Sequence, residues 1–478
     1  MPIAVRLLVF TLCLIGWVLP VAAATTEQPP NASRVLAQMK KAATFYRSQV
    51  AVRGGYVYFY SSDLKQRFGE GVASPEQIWV QPPGTPTVGM AFLDAYEATS
   101  DSFYLDAATE AATALIYGQL QSGGWTNCID FNPQGERVAF YRNGHGKGKN
   151  NSSLDDDQTQ SALRFLMRLD KTYNFENKAI HTAAMTGLDA LLAAQFPNGA
   201  FPQVWTGPVD SSLPVVPASY PDYDWKTEGR VKNYWDMYTL NDGLAGSVTE
   251  VLLDANEIYK DPRYLEAAKK LGDFLILAQM PDPQPGWAQQ YSYDMKPIWA
   301  RKFEPPAIAG RESVDAMDAL LSIFQVTRDR KYLDPCGKGI AYLESSKLPN
   351  GQLARYYELK TNHPLYMNRE GKNYVLTYDD TNLPDHYGWK TDSKVAYLKD
   401  RTNRVLKLPR QYGSRRSVSV SDVNRILKSL DSEGRWITTF KDERLVGDQR
   451  FKPGDQFISS ETFADNLVDL STYLKSIN

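Results

Sequence analysis

The chain has 478 residues, of which 43% are hydrophobic and 23% are charged, and its formal net charge is −2. This length can bury a substantial core, and the nearly balanced charge provides no overall field that would attract a polyanion. Any attraction to an anionic ligand must therefore be local, and we predict no nucleic-acid partner.

The first 24 residues are typical of a secretory signal peptide. Arg6 supplies a positive charge, an apolar core follows over 7–19, and small residues at 21–24 fit a cleavage site. No later stretch is apolar for long enough to span a bilayer. We therefore expect an exported protein, periplasmic or secreted, whose mature chain is not embedded in a membrane.

Three cysteines occur in the whole sequence. Cys13 would leave with the signal peptide, so Cys128 and Cys336 would remain in the mature chain. Two cysteines are too few for a disulfide scaffold. Whether these two pair stays open at the level of sequence.

A repeat of helix, turn, helix and corner runs through the chain, and most of its corners join glycine to an aromatic residue. Three units also begin their second helix with Asp-x-x-Tyr-Leu, at Asp101, Asp261 and Asp329. No alternating segment is long enough for a large sheet. We predict an all-α fold, a single α/α toroid over residues 25–478 with long loops at one open end; an α-solenoid is the alternative. The corners are Gly54–Tyr56, Gly123–Trp125, Gly199–Phe201, Gly286–Trp287, Gly351–Leu353 and Gly434–Trp436.

Two helix starts carry carboxylates in similar patterns. Asp155, Asp156 and Asp157 open the helical segment that follows Ser152, and Thr239–Gly243 partly repeats this pattern ahead of another helix. Both read Ser/Thr-Leu-Asp/Asn-Asp. The two acidic helix starts could therefore face each other across one cleft.

The acidic helix starts have two interpretations. Asp and Asn are preferred N-caps and suit the positive end of a helix dipole. Three adjacent carboxylates exceed what a cap needs, and they repel each other unless a cation lies among them. Hard cations such as Ca²⁺ bind Asp and Asn oxygens, so the two segments could also hold a metal ion. Capping and metal binding both remain open.

Three long polar segments break the repeat, at 127–151, 207–234 and 362–390. Loops of this length are more often functional or disordered than neutral. Several arginines gather near Gly/Pro turns, and guanidinium groups pair with carboxylates in a two-pronged geometry. Together with acidic oxygens for a divalent cation, they favour a polyanionic sugar as ligand, although solvated arginines are the simpler explanation. These arginines are Arg301, Arg311, Arg355 and Arg369.

In this combination and order the chain resembles the family 10 polysaccharide lyases, which are pectate lyases with an α/α-toroid fold. The resemblance extends over about residues 85–395, and residues 400–478 lie outside it. No single motif is specific to the family, but the combination of these motifs in this order along the chain is. The matching segments are Leu154–Asp156 with Thr159, Asn198–Gln203, Thr239–Asp242, Ala300–Arg301 with Glu304, Gly310–Ser313, Arg355–Thr361, Asn368–Gly371 and Tyr387–Trp389.

The resemblance implies Ca²⁺-assisted β-elimination of polygalacturonate to 4,5-unsaturated uronides. It gives Arg369 the role of catalytic base, and because arginine is ordinarily protonated we expect an alkaline pH optimum. It implies that Asp155, Asp156 and Asp242 bind the metal ion that bridges to the substrate carboxylate. The residues implied as substrate contacts are Asn241, Arg301, Arg355 and Lys372.

One position departs from the family pattern. Family members carry a further arginine just before the segment that corresponds to Tyr387–Trp389, whereas this chain has Asp385 or His386 there. One substrate contact is therefore lost or altered. Subsite preference and tolerance of methyl esters are the properties we expect to change.

Two other functions compete with the lyase. An inverting glycoside hydrolase on the same fold would use Asp156 and Asp242 as acid and base across a water. A non-catalytic exported protein could instead bind acidic glycans. We expect the protein to be a monomer.

Overall fold

The structure is a computed structural model, and it describes residues 28–410, 417–447 and 449–477. The predicted signal peptide, with Cys13, lies outside these residues. Within them the chain forms twelve α-helices: α1 (Ala32–Phe45), α2 (Thr85–Thr99), α3 (Ser102–Tyr117), α4 (Gln158–Thr172), α5 (Lys178–Ala193), α6 (Leu244–Tyr259), α7 (Pro262–Ala278), α8 (Gly310–Thr327), α9 (Asp334–Ser345), α10 (Val395–Lys407), α11 (Val420–Ser429) and α12 (Ser460–Ile477).

The helices are arranged in two layers around a ring. The even-numbered helices form the inner layer, in which α2, α4, α6, α8 and α10 contact one another in that order and α12 contacts α2. Helices α3, α5, α7 and α9 each pack against the even-numbered helix that precedes them, while α1 and α11 pack against α12. The α/α toroid predicted from the repeat is confirmed.

Periodic burial explains why these segments are helices. In α4, Ala162, Phe165, Leu166 and Leu169 recur three and four residues apart and are fully buried. Burying each leucine or phenylalanine side chain is worth about 1.5–3 kcal/mol. The apolar faces of neighbouring units therefore merge into one hydrophobic core that runs from Val35 to Leu474.

Sixteen short strands lie between the helices in the described residues, and most contain only two or three residues. They are β1 (Phe59–Ser61), β2 (Arg67–Phe68), β3 (Gln77–Trp79), β4 (Cys128–Asp130), β5 (Ser152–Ser153), β6 (Val204–Trp205), β7 (Tyr238–Thr239), β8 (Gln290–Tyr291), β9 (Ile308–Ala309), β10 (Gln352–Ala354), β11 (Tyr356–Tyr357), β12 (Pro364–Glu370), β13 (Asn373–Thr377), β14 (Lys390–Asp392), β15 (Ile437–Thr439) and β16 (Gln456–Ser459).

The strand pairs fasten consecutive units to each other at one end of the ring. β5 and β7 lie just before the acidic helix starts, and they pair with β6 and β8, which follow the next corner. β16 pairs with β1 in the same way, which joins the two ends of the described chain. Strands this short give no alternating pattern, so the sequence does not predict them.

The glycine–aromatic corners hold each outer helix against the next inner helix. The backbone N–H of Trp125 donates to Thr159 Oγ1 at 3.0 Å, and its indole N–H donates to the carbonyl of Leu115 at 2.8 Å. Trp287 repeats the first bond with Ser313 at 2.9 Å. The corner therefore satisfies backbone groups that a turn between buried helices would otherwise leave unpaired.

Two of the Asp-x-x-Tyr-Leu motifs begin the outer helices α3 and α7, and the third begins the 3₁₀ turn Arg330–Tyr332 just before α9. The side chains of Asp101, Asp261 and Asp329 accept hydrogen bonds from backbone N–H groups two residues later, at 3.0, 2.9 and 3.1 Å. These aspartates are caps, as the positions of the motifs predict.

Cys128 and Cys336 are both free and buried, in β4 and α9. The sequence leaves open whether these two cysteines pair, and in the structure they do not form a disulfide. Among the described residues, no helix has both the length and the apolar character that crossing a bilayer requires.

Candidate functional site

The two acidic helix starts have the same backbone geometry and touch each other. A 3₁₀ turn at Asp155–Asp157 precedes α4, and another at Asn241–Gly243 precedes α6. Asp156 (φ 42°) and Asp242 (φ 53°) occupy equivalent left-handed positions. Aspartate tolerates this conformation better than most residues. The matching sequences therefore fold into matching turns.

Three carboxylates converge where the turns meet. Asp155, Asp156 and Asp242 each present an oxygen, and these oxygens lie within 4.8 Å of one another. No side-chain cap hydrogen bond is made at the start of either turn or of the helix that follows it. Capping therefore does not explain these residues. A cluster of oxygens fits a hard divalent cation such as Ca²⁺.

Three side-chain amides orient the carboxylates. Gln203 Nε2 donates to Asp155 Oδ1 at 2.6 Å, and Gln81 Nε2 donates to Asp156 Oδ2 at 3.1 Å. Asn241 Nδ2 donates to the neighbouring Asp242 Oδ2 at 2.5 Å. Each amide bonds only one oxygen of its carboxylate. The amides therefore fix the orientation of the three carboxylates and leave the second oxygen of each without that bond. Outer partners of this kind tune a metal site.

Two carboxyl groups of the cluster, those of Asp155 and Asp156, have raised pKa values. Burial, followed by the charges of Asp242 and Asp156, raises the pKa of Asp155 to about 7. Burial and the charge of Asp242 raise the pKa of Asp156 to about 6. A bound cation would relieve both the repulsion and the loss of solvation. The donor set therefore fits a divalent metal.

Arg301 connects this cluster to the loops of the open end. Its Nη2 donates to Asp242 Oδ2 at 3.3 Å and its Nε to Glu304 Oε2 at 3.0 Å. Partial burial opposes its charge, but Glu304 and Asp242 outweigh this effect and raise its pKa. The side chain remains 41% exposed. Arg301 is thus a charged group beside the cluster that a ligand can reach.

Arg355 occupies a different environment. Its side chain is 3% exposed, its Nη2 donates to Glu312 Oε1 at 2.7 Å, and its guanidinium lies 5.0 Å from the Tyr387 ring centroid. Burial raises the pKa of Glu312 in spite of this partner. The predicted contact between Arg355 and substrate stays a prediction. In the structure Arg355 is buried behind the Tyr387 ring.

The Arg355–Glu312 pair provides a test of stability. We expect Glu312→Ala to lower the free energy of unfolding by about 3–5 kcal/mol, because it leaves a buried guanidinium without its counter-charge. Urea unfolding measures this change. Glu344→Ala, which removes an exposed glutamate paired with Lys347 and Lys399, is the control and should have little effect. Equal losses in the two variants would contradict this assignment.

Arg369 and Lys372 lie on the hairpin formed by β12 and β13. Both are exposed, and Arg369 Nε donates to the carbonyl of Gly371 at 3.1 Å. Arg369 pairs in register with Tyr374, whose ring lies 5.2 Å from that of Phe303, two residues after Arg301. Neither cation forms an ion pair within the described part of the chain. Their predicted roles as base and substrate contact remain predictions.

An arginine from outside the resemblance lies where the family pattern is broken. Arg444 Nη2 donates to the carbonyl of His386 at 2.8 Å, and its Nη1 to the carbonyl of Asp385 at 3.4 Å. Partial burial and then the charges of Arg369 and Arg444, partly offset by Asp385, lower the pKa of His386. Sequence reasoning missed Arg444 because no local motif marks it and 58 residues separate it from His386.

These features define an α/α toroid with a carboxylate cluster and arginines at one end of the ring. Residues 119–322 match the family model described as pectic acid lyase. The match confirms the resemblance to the family 10 polysaccharide lyases, and it supports the general class of polysaccharide lyase.

Solved structures with similar folds include two of a family 10 polysaccharide lyase from Cellvibrio cellulosa. One, a variant in complex with trigalacturonic acid, is 20% identical with a TM-score of 0.47, covering 66% of this chain and 97% of that one. The other is 20% identical with a TM-score of 0.45, covering 67% and 95%. A cellobiose 2-epimerase from Spirochaeta thermophila is 14% identical with a TM-score of 0.45, covering 93% and 96%. The search of curated proteins found no match.

Proposed function

We propose that this protein is an exported pectate lyase that cleaves polygalacturonate by Ca²⁺-assisted β-elimination and acts as a monomer. The observation that carries the proposal is the convergence of Asp155, Asp156 and Asp242 within 4.8 Å, with Arg301 against Asp242. Negative oxygens for a cation and a positive group for a carboxylate then lie side by side. That combination suits a uronate better than a neutral sugar.

Asp155, Asp156 and Asp242 would hold the Ca²⁺. When bound, the ion supplies Lewis-acid polarisation of a uronate carboxylate, which makes the adjacent C5 proton more acidic. Gln203, Gln81 and Asn241 keep the three carboxylates oriented through the amide bonds described above.

The arginines would perform the remaining steps. Arg301 pairs with the uronate carboxylate, and in the proposed reaction Arg369 takes the proton from C5. The electrons of the C5–H bond form the C4=C5 double bond as the C4–O bond breaks, and the leaving oxygen takes a proton from solvent water. Because a guanidinium must first lose its proton to act as a base, activity should rise towards alkaline pH.

Product analysis tests the class of reaction. Lysis gives one ultraviolet-absorbing unsaturated end for each new reducing end, whereas hydrolysis gives reducing ends alone. We expect a one-to-one ratio on polygalacturonate with Ca²⁺, and no products of either kind with a chelator. Reducing ends without the absorbance would overturn the lyase in favour of a hydrolase. Saturable binding without either product would indicate a non-catalytic glycan-binding protein.

The geometry favours lysis over inverting hydrolysis. An inverting pair of carboxyl groups is separated by about 6.5–9.5 Å to admit a water. The cluster oxygens of Asp156 and Asp242 are closer, within 4.8 Å. Arg301 also hydrogen-bonds Asp242, so this carboxylate already has a cationic partner.

The raised pKa values predict how Ca²⁺ binding depends on pH. Near pH 6, Asp155 (pKa about 7) is largely protonated and Asp156 (pKa about 6) partly so. Binding must displace these protons, so we expect Ca²⁺ affinity to rise between about pH 5 and pH 8 and protons to be released on binding near pH 6. Calorimetry in buffers of different ionisation enthalpy measures both. A pH-independent affinity over that range would contradict the prediction.

The same pKa shifts make the stability of the metal-free protein depend on pH. The folded-state pKa values of Asp155 and Asp156 lie above the value of an aspartate in the unfolded chain. The folded chain therefore binds more protons than the unfolded chain between about pH 4 and pH 7. This contribution to stability is complete below pH 4 and is lost as the pH rises through 6 and 7. We expect added Ca²⁺ to stabilise the protein more at pH 8 than at pH 5, as measured by thermal unfolding. The opposite order would contradict the assignment.

A further inference from the structure

A basic cavity of about 520 Å³ lies beside Arg301. Two segments provide most of its walls: 230–234, which ends the long polar loop, and Trp299–Phe303. Tyr374 from β13 completes it. Its volume lies within the range of about 300–1,000 Å³ typical of small-molecule sites.

The cavity is lined by cations and by no carboxylate. Its charged lining residues are Arg230, Lys232, Arg301 and Lys302. Arg301 is compensated by Asp242 and Glu304, but the other three make no ion pair in the part of the chain that the structure describes. All three are exposed. Positive charges gathered around one concave surface attract a local anion even though the protein's net charge is slightly negative.

Aromatic residues make up most of the remaining lining. Trp299 is buried, and its indole N–H donates to the carbonyl of Trp225 at 2.7 Å. The guanidinium of Arg230 lies 4.5 Å from the Trp299 ring centroid, and the two backbones form a parallel bridge. Arg230 is therefore stacked on a fixed ring, and its guanidinium makes no hydrogen bond to the residues that the structure describes. Such a pair combines a flat apolar surface with a carboxylate-binding fork.

We propose that this cavity is a second carboxylate-binding subsite, which binds a uronate residue of the polymer other than the one at the acidic cluster. Arg230 and Lys232 contact the carboxylate, and Phe303 and Tyr374 pack against the sugar ring. Arg301 lies between the two sites and separates the uronate at the cluster from the one in the cavity. This inference rests on the proposed function and extends it to the recognition of a longer chain.

The experiment compares Arg230→Ala/Lys232→Ala with wild type, using binding and turnover of saturated digalacturonate and hexagalacturonate. We expect at least a tenfold loss of affinity and of kcat/KM for the hexamer and less than a twofold change for the dimer. The wild type's preference for the hexamer should also weaken more steeply with salt than the variant's, because salt screens the contacts that Arg230 and Lys232 make with the carboxylate. Lys178→Ala/Lys338→Ala removes two exposed lysines from the outer helices α5 and α9 and is the matched control.

Each result decides the inference. Equal losses for dimer and hexamer, or a variant indistinguishable from wild type, would overturn the second subsite while leaving the lyase intact. If the variant lost affinity only for the hexamer while the wild type formed no unsaturated product, the subsite would be supported and the lyase refuted. A wild type that binds neither oligomer would overturn the subsite.

Discussion

Arg369→Ala is expected to lower kcat on polygalacturonate by about 10²–10⁴-fold, the usual contribution of a general base. Its side chain is exposed on the β12–β13 hairpin and has no carboxylate partner in the described residues, so its loss should not disturb the fold. The initial rate of ultraviolet absorbance with saturating Ca²⁺ measures the effect. Ca²⁺ affinity, measured by calorimetry, should stay within twofold of wild type.

Two comparisons make the result specific to Arg369. Arg404→Ala removes an exposed arginine from α10 and should leave kcat unchanged. Arg369→Lys retains a cation but alters the proton affinity, so a true base should show a displaced alkaline limb in the pH–rate profile. A less than threefold loss of kcat in Arg369→Ala would remove this residue from the chemistry and require another base.

Asp242→Asn is expected to have the second large effect, because Asp242 belongs to the carboxylate cluster and also holds Arg301. Loss of one charged ligand should weaken Ca²⁺ binding by at least about tenfold, which corresponds to about 1.4 kcal/mol. Loss of the oriented electrostatic contact should lower kcat/KM by on the order of 10²–10³-fold. Assays over a range of Ca²⁺ concentrations separate the two effects, because excess Ca²⁺ restores only the first.

Asp157→Asn is the matched control for the cluster. Asp157 adjoins Asp156 and also has a pKa raised by burial, to about 6, but it is not among the three residues whose oxygens converge. We expect its replacement to change Ca²⁺ affinity by less than a few-fold. If Asp157→Asn were as damaging as Asp242→Asn, the metal ligands would have to be reassigned.

The sequence predicts those parts of the molecule that depend on local patterns. Apolar residues three and four apart, as in α4, predict the helices, and Asp101 and Asp261 predict where outer helices begin. Repeated turns at Asp155–Asp157 and Asn241–Gly243 share one backbone geometry because they share one sequence pattern. The structure then decides between capping and clustering, a choice that needs the distance between two segments.

The parts that the sequence does not predict depend on contacts between distant segments. Gln81 reaches Asp156 from 75 residues away and Arg444 reaches His386 from 58, and neither lies in a recognisable motif. The burial of Arg355 behind Tyr387 is likewise a packing result, since exposed and buried arginines look alike in sequence. Strands of two residues, such as β5 and β7, are too short for a periodic signal.

The central claim is that Asp155, Asp156 and Asp242 form one Ca²⁺ site on which catalysis depends. Calorimetric titration of the metal-free protein with Ca²⁺ at pH 8, alongside activity in the same samples, tests it most directly. We predict one Ca²⁺ per chain, binding that is strongly weakened in Asp242→Asn and kept in Arg369→Ala, and activity that follows occupancy in the wild type. Full activity in a chelator, or Ca²⁺ binding unaffected by Asp242→Asn, would contradict the account.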